Sequence, residues 1–256
     1  MEWIALILIL VAVLCYGANR AKRSNGGLRV RSFEGETPQE KGYRGEFYVR
    51  QVVGDTVPGE KYVINDLVFR HGDKTCQVDH VVINKNGVYV IETKNYSGTV
   101  YGSDSQRYWT QYVGSKKHTV YNPVKQNAAH IGYIQRRLGR KLYMVNLVVF
   151  VQNNIENIQS DAAIPLSVLD RRLALPSKIK PYTAEQMEQI YREILALRDE
   201  DLNGELHAAG VIETRENVKC GICPRCGRTL VTRQGKYGTF LGCAGYPECD
   251  FIKRGR

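Results

Sequence analysis

Cysteine is too sparse in this chain for a disulfide scaffold. Of seven in 256 residues, five fall between Cys220 and Cys249, the distribution of a metal site in a reducing compartment. The chain also lacks the signature of disorder: hydrophobic residues make up 43% and charged residues 24%, an ordinary globular balance. No internal repeat is present. The length suits one medium domain plus something small.

Acidic residues are missing where the chain is most basic. The formal net charge of +10 is concentrated at the two ends. Residues 19–32 carry five basic residues and no acid, and residues 219–256 carry eight basic residues against Glu248 and Asp250. Residues 33–218 sum to zero, so attraction to a polyanion concentrates at the ends.

Residues 1–18 are predicted to form a transmembrane anchor. Trp3 to Tyr16 is an unbroken apolar run bracketed by aromatics, slightly short of an ordinary span. No basic segment precedes it, which argues against a cleaved signal peptide. The Lys/Arg excess of the juxtamembrane segment 19–32 follows the span, so the positive-inside rule predicts a single-pass cell-membrane protein whose soluble part faces the cytoplasm.

From Gly26 the pattern changes to soluble alternation. Residues 40–53 read as a helix ending at Gly54, with Tyr43, Phe47 and Val52 near one face. Residues 61–70 read as a strand, and 77–94 as a hairpin around Asn84-Lys85-Asn86-Gly87. Asn122 caps a helix opened by Pro123, and 142–151 reads as a buried strand. Thr183 and Gln186 form a capping box for a helix within 183–200, with Met187, Ile190, Tyr191 and Ile194 as its apolar face. This order predicts an α/β or mixed α+β fold. Residues 201–219 are polar and read as a linker.

Chemistry concentrates on the hairpin. An even turn pairs positions that sum to 171, placing Asp79 opposite Glu92, with Lys94 on the same face as Glu92. Paired carboxylates can hold a hard divalent cation, and a nearby lysine can orient a water; the same residues also suit a solvated face. His80 alternates to the opposite face. Tyr96 and Trp109 suit base stacking or packing.

Gln77 to Gly98 (QVDHVVINKNGVYVIETKNYSG) resembles the nuclease-related domain family of the PD-(D/E)xK nuclease superfamily, over about residues 40–150. The resemblance implies a restriction-endonuclease-like mixed sheet flanked by helices within residues 33–182. It further implies metal-dependent phosphodiester hydrolysis, with Asp79 and Glu92 holding Mg²⁺ or Mn²⁺ and Lys94 activating water. A Glu from a preceding helix is often added, the place of Glu46, and a Gln from a following helix, the place of Gln126. Glu46 also suits an i,i+4 ion pair with Arg50, and Gln126 an exposed first turn. Val78 stands where the superfamily name has a Pro.

Residues 220–256 contain a knuckle, Cys223-Pro-Arg-Cys226-Gly, completed by Cys243 and Cys249. Four thiolates make a closed, structural zinc site, without which so short a piece has too little core to fold. Cys220 is the spare. The pattern CPRCG…GTFLGCAGYPECDF resembles the C-terminal zinc ribbons of bacterial type IA topoisomerases, which implies binding of single-stranded DNA. Arg225, Arg228, Arg233 and Lys236 are the candidate phosphate contacts, and Tyr237 and Tyr246 the candidate stacking rings, with Phe240 and Phe251 as core. Together these features predict a membrane-anchored, metal-dependent nuclease with a DNA-binding ribbon. The alternative is a non-catalytic, membrane-tethered DNA-binding or scaffold protein that keeps the nuclease fold.

Overall fold

The computed structural model describes residues 37–72, 74–176, 179–202, 218, 220–223, 226, 228–235, 238–249 and 251–254. The apolar run 1–18, the basic segment 19–32 and most of the linker lie outside the described residues. So do Arg225, Lys236 and Tyr237. Among the described residues no helix is long and apolar enough to cross a membrane.

The main sheet has five strands in the order β1 (Lys61–His71), β2 (Lys74–Asn84), β3 (Gly87–Lys94), β7 (Met144–Phe150) and β9 (Ala163–Pro165). The first three are antiparallel neighbours, while β3–β7 and β7–β9 are parallel. The sheet is therefore mixed. Its hairpin has the even turn read from sequence: Ile83 faces Val88 and His80 faces Ile91.

Helices cover both faces. On one, α2 (Pro123–Leu138) and α4 (Ala184–Leu195) bring Ile134, Met187, Ile190 and Ile194 onto Ile64, Val81, Val88 and Val90. On the other, α1 (Pro38–Val53) and α3 (Leu169–Ala174) bring Val49, Val53, Leu169 and Leu173 onto Val82, Tyr89, Ile91 and Val149. A three-layer mixed α/β fold results. Local signals set the helix ends. Asn122 Oδ1 accepts from the amides of Val124 and Lys125, and Thr183 and Gln186 cap each other reciprocally.

Helix α1 turns a different face inward from the one its large residues mark. Tyr43 and Phe47 are each 54% exposed, while Gly45, Val49 and Val53 are buried. The reason is closeness: a Cβ at Gly45 would lie 2.9 Å from Asn95 Cβ, so the helix can approach the sheet only through its glycine. Gly45→Ala is accordingly expected to destabilise the protein. Alanine gains about 1 kcal/mol in an open helix, but overpacking against a fixed Cβ costs about 1–3 kcal/mol. A lowered denaturant midpoint on unfolding would register it, and a raised one would refute the close packing.

Strands β4 (Thr99–Ser103), β5 (Tyr108–Val113), β6 (Lys116–Tyr121) and β8 (Asn157–Gln159) form a second sheet in the order β6-β5-β4-β8. Its inner face packs through Trp109, which stacks on Phe150 at 6.2 Å; Tyr96 meets the same ring edge-on. Both aromatics are packing residues. A Cβ at Gly102 would lie 2.3 Å from the indole, so glycine makes room for it. The ribbon contributes a third sheet, β10 (Leu230–Gly235), β11 (Gly238–Cys243) and β12 (Ile252–Arg254).

Candidate active site and zinc ribbon

The site forms where β2 leaves β3. Their ladder ends at His80–Ile91, although β3 runs on to Lys94. The amide of Thr93 is taken instead by Asp79, whose Oδ2 accepts it at 2.7 Å. Opposite this point in β1, Asp66 adopts a left-handed backbone with φ 49°, a conformation aspartate tolerates better than most residues. The inward side chains change parity there. Tyr62 and Ile64 share a core with Leu67 and Phe69, as Val81 and Ile83 do with Val78 and Cys76. The alternation rule therefore fails locally, at the residues that build the site.

Glu92 is the centre of the buried part. Lys94 Nζ donates to its Oε1 at 2.6 Å and Gln126 Nε2 to the same oxygen at 2.8 Å. Lys94 also reaches Gln126 Oε1 at 3.4 Å. His130 Nδ1 stands 3.5 Å from Glu92 Oε2. Gln126 and His130 are four residues apart on α2 and present one face of it to the site. His130 has no counterpart in the sequence reading; its i,i+4 relation to Gln126 is the signal that could have found it.

A cleft of about 220 Å³ opens beside this network, lined by Glu46, Asp79, Cys76, Gln126, His130 and Tyr133 among others. Glu46 faces the cleft; its partner Arg50 is 3.9 Å away and bonds Asp66 instead. Burial, then the charge of Asp66, raises the Glu46 carboxyl to about 7. Burial and the charges of Glu92 and Glu46 hold Asp79 well above the usual carboxylate range. Burial works against the Lys94 ammonium, but Glu92 outweighs it and the lysine is held above its ordinary range. Burial, with Glu92 nearby, pushes the Cys76 thiol up to about 12, so it is no nucleophile. His80 lies apart, fully buried, with Nδ1 2.8 Å from Asn65 Oδ1.

Three carboxylates thus crowd one lysine, the donor chemistry that suits a hard divalent cation. Asp79 and Glu46 would offer it oxygens from the cleft wall, with Glu92 behind them.

In the ribbon, Cys223, Cys226, Cys243 and Cys249 bring four sulfurs within 4.8 Å of one another. Tetrahedral zinc–thiolate bonding sets sulfurs ~3.8 Å apart; Cys223–Cys249 is 3.8 Å and Cys226–Cys243 is 3.3 Å. The four fit one structural zinc ion. Cys220 is exposed and outside the cluster. Leu230, Leu241 and Phe251 pack beside the cysteines, whereas Phe240 sits over Gly235 and Gly242, half-buried and outside that cluster. Tyr246 is 64% exposed, with the Arg233 guanidinium 5.7 Å from its ring centre. Arg228 is paired with Glu248 at 2.8 Å.

Residues 41–151 match the model of the nuclease-related domain, and residues 220–255 that of the topoisomerase DNA-binding C4 zinc finger. An uncharacterised Bacillus anthracis protein is 37% identical over 114 residues, 44% of this chain and 54% of that relative. The Escherichia coli protein YrdD is 58% identical over 31 residues, 12% of this chain and 17% of its own. DNA topoisomerase 1 of Mycoplasmoides gallisepticum is 39% identical over 44 residues, 17% of this chain and 6% of its own. The chain thus spans about half the length of the first of these relatives and far less of the others. No solved structure matches it significantly. What the matches establish is that residues 41–151 are similar to the nuclease-related domain and residues 220–255 to the topoisomerase-type C4 zinc ribbon, joined in one chain.

Proposed function

We propose that the protein is a membrane-tethered, metal-dependent nuclease that hydrolyses DNA phosphodiester bonds and holds its substrate partly through the zinc ribbon. The observation that carries this reading is the cleft with Glu46 and Asp79 in its wall and the Glu92–Lys94–Gln126 network beside it. Mg²⁺ or Mn²⁺, held by Asp79 and Glu92 with Glu46, would polarise the phosphoryl group and lower the pKa of a bound water.

The chain's own residues do the rest. Lys94, kept as an ammonium by Glu92, orients the attacking water and offsets charge on the phosphate. Gln126 fixes Glu92 and Lys94 relative to each other through its two amide atoms. In the ribbon, Tyr246 offers a stacking ring and Arg233 a cation beside it, with Arg225, Arg228, Lys236 and Tyr237 as further contacts to single-stranded DNA. Residues 1–18 anchor the chain in the cell membrane, with the soluble part on the cytoplasmic side.

One observation favours the second reading, a tethered DNA-binding or scaffold protein without turnover. Glu92 Oε1 already receives two protein donors, so a cation would be ligated through Oε2 or would have to displace a donor, and the network can serve as structure alone. Incubating the zinc-loaded full chain with labelled single- and double-stranded DNA in Mg²⁺, Mn²⁺ or no added divalent metal, without chelator, separates the two. Cleavage that needs metal supports the nuclease; binding without cleavage under every metal supports the scaffold.

A further inference from the structure

The second sheet has one face buried through Trp109 and one face open. On the open face, register aligns Tyr101 with Thr110, Tyr108 with Tyr121, and Tyr112 with Lys117. Tyr101, Tyr108, Tyr112 and Tyr121 are between 39% and 47% exposed, so four of the chain's sixteen tyrosines share one open surface. They form two edge-to-face pairs, Tyr108–Tyr121 and Tyr101–Tyr112, each with ring centres 5.9 Å apart. Cross-strand pairing of this kind stabilises the sheet, yet it leaves ring faces free for a further ring to stack on.

Charge within the strands of this surface has one sign, with Asp104 and Glu156 just outside them. Strands β4, β5, β6 and β8 contain no acidic residue. Lys116 and Lys117 stand at the β5–β6 turn, and the Arg107 guanidinium lies 5.5 Å from the Tyr108 ring centre. Between Tyr101 and Tyr108 lies a concavity of about 210 Å³, edged by Asn157 and Gln159. Their side-chain amides can donate to and accept from the edge of a base.

We infer that this face is a stacking platform for single-stranded nucleic acid. Rings on an open sheet with cations at its border are what such a strand needs: π-faces for successive bases and positive charge for phosphates. The platform rests on the reading of the substrate as nucleic acid and adds to it a second single-strand contact, separate from the ribbon. It also gives the otherwise neutral middle region a local attraction of its own. The chemistry is sequence-tolerant, because every base has a stackable face.

The test uses the full chain with its zinc bound, in buffer free of Mg²⁺, Mn²⁺ and chelator so that nothing is cut and the ribbon stays folded, and a short oligothymidylate carrying 5-iodouracil. After irradiation, cross-linked peptides are mapped by mass spectrometry. Adducts on the peptide containing Tyr108 and Tyr112 are expected. Tyr108→Ala/Tyr112→Ala should weaken oligonucleotide binding about tenfold, while Tyr108→Phe/Tyr112→Phe keeps the affinity; circular dichroism and melting confirm that both variants fold. Adducts confined to the ribbon, or an alanine pair that binds unchanged, would overturn the inference. So would an alanine pair that only turns a dimer into a monomer by light scattering, since the face would then belong to a second copy. Cleavage with Mg²⁺ is scored separately. Adducts without cleavage sink the nuclease and leave the platform standing, and cleavage without adducts does the reverse.

Discussion

Lys94→Ala should lower metal-dependent cleavage by about 10²–10⁴-fold, the range for loss of a positioned catalytic group, while leaving oligonucleotide binding by the ribbon unchanged. The side chain is 15% exposed and Nζ lies 2.6 Å from Glu92 Oε1. Because Glu92 holds the ammonium above its ordinary range, the lysine acts by its charge and donors and not by taking a proton. Removing it leaves Glu92, Asp79 and Glu46 crowded around no fixed cation. Breaking a buried pair on one side costs about 3–5 kcal/mol, so the variant should also melt earlier. Added Mg²⁺ should recover part of the melting temperature without recovering the rate. That split separates a catalytic loss from simple unfolding. A cleavage rate within a small factor of the parent protein would remove Lys94 from the machinery and, with it, the assignment of the cleft.

Cys243→Ser is expected to release zinc and unfold the ribbon while the middle region keeps its melting transition. The ribbon's apolar centre is Val218, Leu230, Leu241 and Phe251 around the cysteines, too little to order so short a piece unaided. A structural zinc ion contributes roughly 10–16 kcal/mol in comparable small domains, so the metal dominates. Cys243 is also tied into the local backbone: its sulfur accepts the Gly245 amide at 3.3 Å and its carbonyl accepts from Arg233 at 3.1 Å. Unfolding should therefore take Arg233 and Tyr246 with it, and affinity for single-stranded DNA should fall. Metal analysis and amide exchange on the full chain read both effects. Zinc retained at one ion per chain would mean that Cys220 or another ligand completes the site.

How much of this was legible in the sequence depended on how local each signal was. The hairpin register followed from turn length alone, and the α2 and α4 caps from single residues. The four zinc-site cysteines were legible because they come in two closely spaced pairs, Cys223 with Cys226 and Cys243 with Cys249. The second sheet was not. Residues 99–121 mix Tyr, Thr, Gly and Lys without a clean apolar period, because only Val100 and Trp109 of its first two strands are fully buried. The inner face of α1 was misread for a related reason: its closest approach is made by Gly45, which has no hydrophobicity to register. Within the site, His130 was overlooked because its partner, Glu92, is 38 positions away. Glu46 was readable only as one of two alternatives, since the choice between cleft and ion pair turns on Asp66 drawing Arg50 aside.

The parallel pairing of β3 with β7 also governs when a working site can exist. The Lys94 carbonyl receives its hydrogen bond from Val151, and β7 pairs along β3 from Val88 to Lys94. As the chain leaves the ribosome, the hairpin bearing Asp79, Glu92 and Lys94 emerges first, and residues 95–143 follow before its second neighbour arrives. Contacts so distant in sequence close late, since the intervening loop must be ordered before they repay its entropy. The hairpin's open edge is meanwhile exposed to wrong partners. A nascent chain halted before residue 144 would carry all three residues without the strand that completes their surroundings, so assembly of the site waits on the emergence of β7.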